Sequence, residues 1–326
     1  MPSPHMRQVL HRIFIKDRRL HPLWRASFYL SAYVLVTLVV QIAALSLYML
    51  YSLSKGVTPL AVGQAILGGP SPTWLELVLT GLGFLVVLVL TYLFRRFLDG
   101  KDFVTLGFRR QRLLLDTAFG LALGFVLMAG IFFVEWGLGL LAVEHQVWDE
   151  RAIIKAVGDV SLALLFFAIA GANEEIVFRG YVLPNLTEGM GRVAAVIVSS
   201  LVFGVFHVWN PNVSFIAIVN ISLAGVVFAY AYLLSGNLWL PMALHFSWNF
   251  FQGAVFSLPV SGIVVRGLLE THPRPGADWI TGGAFGPEAG LSGLVALLLA
   301  GVFLWLWSRT AVRHQGGEAH PPGEQQ

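Results

Sequence analysis

Three short polar groups interrupt a mostly apolar chain: Asn173-Glu174-Glu175-Ile176-Val177-Phe178-Arg179, Phe203-Gly204-Val205-Phe206-His207 and His245-Phe246-Ser247-Trp248-Asn249. A carboxylate or a neutral imidazole can take a proton from water. An imidazole and a carboxamide can donate hydrogen bonds to a developing oxyanion. Gathered in a shielded cavity, these groups suit hydrolysis of an amide. Cysteine is absent, which removes thiolate nucleophiles, thiolate metal sites and disulfides.

Helical spacing sorts the residues into roles. Glu175 and Arg179 are four apart and can pair, as His245 and Asn249 are four apart and share a face. Glu174 points roughly 100° away from Glu175, so it is left free while Glu175 and Arg179 support the site. Glu174 and His207 are equidistant in sequence from the polar turn at Met190-Gly191, so an antiparallel hairpin sets them at similar depth, subject to a kink at Pro184. The third group fits less simply. His245 lies roughly 13 Å along its helix from the nearest turn, against roughly 25 Å for His207, so convergence requires the hairpin to project beyond its neighbour. Small residues, among them Ala194, Ala195, Ser199, Gly204, Ala224 and Gly225, would allow the close packing needed.

The elements that carry these groups follow from composition. The 326 residues are 56% hydrophobic and 12% charged, against about 25% charged in soluble domains. Mean hydropathy is +0.74, and Val193 to Val265 contains no Asp, Glu, Lys or Arg. With about 20 apolar residues needed per crossing, the expectation is an all-α polytopic transmembrane helical bundle. About eight spans are read: Ala26–Ser54, Trp74–Phe94, Leu113–Leu141, from about Val157 past Glu175 and Arg179 to the polar turn at Glu188–Gly191, Val193–Val208, Val213–Leu234, Leu238–Ser257, and a last span ending near Trp307. The polar site then lies between the fourth, fifth and seventh spans. Residues 1–25 form a basic cytoplasmic arm, 26–308 a transmembrane domain with a catalytic core at about 157–257, and 309–326 a cytoplasmic tail expected to be disordered. The run after Arg25 is too long for a signal-peptide core and is read as a retained span.

Orientation follows from the basic residues. Arg7, Arg12, Lys16, Arg18, Arg19 and Arg25 precede the first span, and Arg95, Arg96, Lys101, Arg109, Arg110 and Arg112 lie between the second and third. With eight spans, Arg192, Arg309 and Arg313 fall on the same side, leaving Lys55, Arg151, Lys155, Arg266 and Arg274 on the other. Both termini are therefore expected in the cytoplasm. This asymmetry accounts for the formal charge of +3, so the lipid bilayer is the implied partner and no nucleic acid is. The excess of arginine over lysine and the short loops fit a prokaryotic plasma membrane.

An ionisable group at the bilayer centre costs about 2.5–3.5 kcal/mol or more, which makes each a functional hypothesis. The ordered set Glu174-Glu175-xxx-Arg179, Phe203-xxx-His207 and His245-xxx-Asn249 resembles the CAAX protease and bacteriocin-processing (CPBP or Abi) intramembrane peptidases, which include the type II CAAX prenyl endopeptidases. The resemblance covers roughly Gly171 to Phe250. It implies an intramembrane endopeptidase acting on a membrane-associated peptide or protein, with Glu174 and His207 activating water, His245 and Asn249 stabilising the oxyanion, and Glu175 and Arg179 in support.

The same family is commonly called metallopeptidase, and Glu174, His207 and His245 could offer three ligands to a divalent metal such as zinc. The residues can also work without one, and Asn249 beside His245 reads better as an oxyanion donor, so zinc is not obligatory in the preferred reading. Against these readings stand plainer ones. Glu174 and Glu175 could form an internal ion pair with Arg179, although one guanidinium cannot neutralise two carboxylates. His207 could cap a helix beside the Asn210-Pro211-Asn212 turn. His245 and Asn249 could bridge helices. The competing functions are a non-catalytic membrane scaffold or immunity protein of the same family and, with less support, a proton-coupled transporter, for which no inverted repeat is visible. Glu76, Glu135 and Asp159, at or near span ends, are read as interfacial.

Overall fold

A computed structural model describes residues 14–16, 19–67, 73–144 and 150–315. Arg7, Arg12, Arg18 and most of the tail expected to be disordered lie outside the described residues. The chain is an all-α bundle. Its long helices are α1 (Pro22–Ser54), α3 (Trp74–Leu93, running into a π turn at Phe94–Leu98), α4 (Leu113–Gly137) and α5 (Glu150–Glu175). A short α2 (Pro59–Leu67) follows α1. A π-helical stretch, Ile176–Val182, joins α5 to α6 (Leu183–Met190). Then come α7 (Arg192–Val205), α8 (Phe215–Ser235), α9 (Trp239–Phe250, with a π turn Phe251–Val255), the short α10 (Asp278–Thr281) and α11 (Leu291–Gln315). Among the described residues, strands are confined to two small antiparallel pairs, Ile15–Lys16 (β1) with Arg19–Leu20 (β2), and Leu141–Glu144 (β3) with Glu270–Pro273 (β4).

Among the described residues, six helices are long and apolar enough to cross a bilayer. The helices α7 and α9, with 14 and 12 residues, are shorter. One end gathers the basic segments: Arg25 meets Asp99 and Glu188, Leu238 N–H donates to the Gly107 carbonyl, and the Trp239 indole donates to the Arg109 carbonyl. The opposite end is closed by the β3–β4 pair and by the 256–290 segment. The eight helices read from the sequence are thus present at nearly the expected positions. The fourth starts earlier than expected, at Glu150 rather than about Val157, and α5, the π stretch and α6 follow one another without a break to Met190, with Pro184 in the first turn of α6.

Glycines set two of the helix crossings that hold the site. On α4, Gly120 and Gly124 lie against α9, where an added Cβ would meet the Leu240 carbonyl at 2.7 Å and Ser247 Cβ at 2.7 Å. Between α7 and α8, a Cβ at Gly204 would meet Ser222 Oγ at 2.1 Å and one at Gly225 would meet Ser200 Cα at 3.0 Å. Backbones that approach so closely gain packing where apolar burial against lipid gives no drive. The expectation for Gly204 and Gly225 is met; Gly120 and Gly124 were not anticipated.

Glu135 departs from its interfacial reading. It is 1% exposed, on the inner face of α4. Proximity to a span end did not place it in water, because the 256–290 segment and the start of α11 cover that end of the bundle. Glu76 behaves as a span-start residue, closing a capping box with Thr73 at the head of α3.

Candidate active site

The π stretch follows directly after Glu175, and the two glutamates end α5 on different bearings. Glu175 is fully buried and Glu174 faces a cavity with its side chain 31% exposed. Arg179 Nη1 donates to Glu175 Oε1 at 3.0 Å and its Nη2 to the Gly225 carbonyl at 3.1 Å. Its guanidinium lies over the rings of Phe203 at 4.4 Å and Phe228 at 5.2 Å. This is a desolvated cation held by a carboxylate, a carbonyl and two aromatic faces.

The same Glu175 oxygen receives a second bond, at 2.9 Å from His245 Nδ1 on α9. Sequence spacing gave the Arg179 partner but not this one, since it crosses between helices. A carboxylate oxygen accepts, so Nδ1 donates and Nε2 is left facing the cavity. Phe228 stacks on that ring, centroids 4.7 Å apart and 14° from parallel, which fixes its plane.

His207 arrives by a different route and ends in the same state. It sits in the turn just past α7, where its N–H bonds back to the Gly204 carbonyl. Its Nδ1 is 2.9 Å from the Phe203 carbonyl, one helical turn earlier. A carbonyl only accepts, so Nδ1 donates and Nε2 is again left facing the cavity. Both Nε2 atoms face Glu174: each lies 3.9 Å from Glu174 Oε2, an oxygen with no hydrogen-bond partner among the described residues. The structure therefore brings together Glu174, Glu175, Arg179, His207 and His245. Asn249 is half-buried one turn beyond His245 and lines the same cavity.

That cavity holds about 300 Å³. Its walls are mostly aromatic and aliphatic, with a few convergent polar groups, as in small-molecule and peptide sites. Some were missed in the sequence. Tyr33 on α1 accepts a hydrogen bond from Asn173 Nδ2 at 3.4 Å, and Asn210, Ser261 and Glu288 line the far end. One of four tyrosines in the first apolar span and a Glu in a Gly-rich loop carry no spacing signal that would have found them.

By donor type Glu174, His207 and His245 could hold a divalent cation, although their ligand atoms do not all lie within 4.8 Å of one another. A tighter grouping of potential ligand atoms lies elsewhere, in the exposed Glu144, Glu270 and His272 of the β3–β4 pair.

Residues 156–251 match the family model described as type II CAAX prenyl endopeptidase Rce1-like. The resemblance read from the three motifs holds. The matched segment contains every residue of the cluster. A curated relative from Bacillus subtilis (strain 168), named "Putative membrane peptidase YdiL", is 26% identical over 133 residues, which is 38% of this chain and 52% of the relative. The match thus spans about half of that relative's length. No solved structure matches. Taken with the apolar helices, these likenesses support an integral membrane protein of the protease kind.

Proposed function

We propose that the chain is an intramembrane endopeptidase that hydrolyses a peptide bond of a membrane-associated substrate, in a prokaryotic plasma membrane with both termini in the cytoplasm. The observation that carries this reading is the unpartnered Glu174 Oε2 facing two imidazole Nε2 atoms at 3.9 Å. Those separations are too long for direct hydrogen bonds and suit a water shared between the groups.

In this mechanism Glu174 and His207 take the proton of the attacking water while the substrate carbonyl is polarised from the α9 side. Asn249 can donate to the oxyanion at once through its carboxamide. His245 can donate only when Nε2 also carries a proton, and its bond to Glu175 stabilises that imidazolium. Collapse of the tetrahedral intermediate requires a proton on the leaving amine, which Glu174 or a charged imidazole returns. A divalent cation held by Glu174, His207 and His245 would add Lewis acidity at the same water. Arg179 and Glu175 hold His245 in register without touching substrate.

Purified protein and a fluorogenic membrane peptide test the proposal. Glu174→Gln keeps size and hydrogen bonding but removes the base, so cleavage should fall by about 10²–10⁴-fold or more, with the variant still folded. His207→Ala should behave likewise. Normal cleavage by Glu174→Gln would reject the mechanism. Absence of cleavage by the unaltered chain, across a panel of membrane peptides, would favour the scaffold or immunity reading.

A further inference from the structure

The cavity lining extends further toward one end of the bundle than toward the other. Toward the basic end it stops at Phe178, within a π stretch whose residues Ile176–Val182 are all buried. Behind that stretch stands the buried Asp99 cluster, where Tyr181 and Asn185 meet the Asp99 carboxylate. Toward the opposite end the lining passes to Asn210, Val260, Ser261, Ile263 and Glu288. These belong to the turn after α7 and to the 256–290 segment.

That segment forms a cap. Asn210 Nδ2 donates to the Ser261 carbonyl at 3.0 Å and Asn220 Nδ2 to the Gly290 carbonyl at 3.1 Å. Gln252 Nε2 at the end of α9 donates to Glu288 Oε2 at 2.7 Å, and the Ser261 N–H donates to Glu288 Oε1 at 3.2 Å. Trp209, 90% exposed two residues after His207, and Trp136 and Trp74, both more than half exposed at helix ends on this side, mark a membrane–water interface.

The two ends differ in charge. Lys16, Arg19, Arg25, Arg95, Arg96, Lys101, Arg109, Arg110, Arg112, Arg192 and Arg309 lie at the end beyond Phe178, whereas the capped end has Lys55, Lys155, Arg266 and Arg274 among acids such as Glu144, Glu270 and Asp278. Basic loops stay in the cytoplasm. We infer that the site takes a polypeptide segment presented on the extracytoplasmic side of the membrane, admitted beneath the 256–290 cap, rather than a chain end in the cytoplasm. The inference rests on the peptidase reading for the nature of the ligand, and on the cavity and the charge asymmetry for its side.

The natural absence of cysteine makes the test direct, since each introduced thiol is unique. Ala224→Cys reports the cavity wall, with Ile263→Cys as a second cavity position should the first fail to fold. Pro275→Cys and Arg96→Cys report the exposed surfaces of the capped and basic ends. Full-length variants in sealed right-side-out and inside-out vesicles are treated with a charged, membrane-impermeant methanethiosulfonate. The cavity thiol should react alongside Pro275→Cys in right-side-out vesicles and lose that reaction in inside-out ones, with Arg96→Cys showing the reverse. Reaction of the cavity thiol from the cytoplasmic face, or none from the outer face, would overturn the inference. Labelling requires no turnover, so an inactive protein would sink the peptidase reading and leave this result standing.

Discussion

Two clusters of buried charge sit on the α5–α6 rod, one at the basic end and one where α5 ends. At the basic end Asp99, fully buried, receives Arg25 at 2.7 Å and Arg95 at 2.9 Å, with Tyr181 at 3.3 Å and Asn185 at 3.5 Å completing its surroundings. Arg25 turns its other nitrogen to Glu188, which also meets Lys101. Each acid there has basic partners, and the ties join the start of α1, the turn after α3 and the end of α6. In the cavity, Glu175 is paired in the same manner, but Glu174 is not. Its Oε2 faces two imidazoles across gaps that no described residue fills. Pairing of each acid with a base marks the first cluster as a clamp. The second leaves Glu174 turned into the cavity without a close basic partner, which is what the proposed peptidase reading requires.

The contrast can be broken first at the clamp. Asp99→Asn strands Arg25 and Arg95 in a dry site, a loss of about 3–5 kcal/mol, read as a lower melting temperature in detergent. Cleavage per folded molecule should persist. Glu175→Gln tests the point where the two kinds of cluster join. It leaves the buried Arg179 without its countercharge and puts a neutral carboxamide where a carboxylate accepts from His245 Nδ1. Melting temperature and turnover should therefore both fall, and the pH profile should shift as Nδ1 loses its carboxylate. Turnover unchanged in Glu175→Gln would mean that the 2.9 Å bond has no part in the chemistry.

Asn249→Ala removes a proposed oxyanion donor and should slow single-turnover cleavage about 10²–10³-fold while sparing substrate binding. The smallest effect is expected at the cap. Burial pushes Glu288 up to about 7, partly offset by its bonds from Gln252 and Ser261. Its folded-state value lies above the ordinary 4.5, so its contribution to stability is full below that pH and is lost as pH rises through about 7. Glu288→Gln should flatten the fall in melting temperature between pH 5 and 8 relative to the unaltered chain.

Much of this site is legible in the sequence because ionisable groups are rare in long apolar runs. Glu174, His207 and His245 stood out on cost alone, and the hairpin count from Met190-Gly191 put the first two level, as the structure has them. The Glu175–Arg179 pair followed from helical spacing. The Glu175–His245 bond did not, because it joins helices seventy residues apart and depends on the bearing that the π stretch gives α5. The mismatch in depth expected for His245 arose from treating each turn as lying at one level, whereas α9 is seated against α4 by Gly120 and Gly124. The Asp99 clamp was hidden among basic loop residues whose charge was read only as a guide to orientation. Glu135 and the cap were missed for one reason: a Gly- and Pro-rich loop has no periodicity, so its folding back over the bundle leaves no trace in hydropathy.

The measurement that bears most directly on the central contrast sets Glu174→Gln beside Asp99→Asn, with melting temperature and single-turnover cleavage taken on the same preparations. The two variants should give crossed outcomes. Glu174→Gln should melt like the unaltered chain and fail to cleave, while Asp99→Asn should melt lower and cleave at a near-normal rate once folded. If Glu174→Gln instead destabilises the protein as Asp99→Asn does, or cleaves normally, Glu174 is a structural residue and the account of the site is wrong.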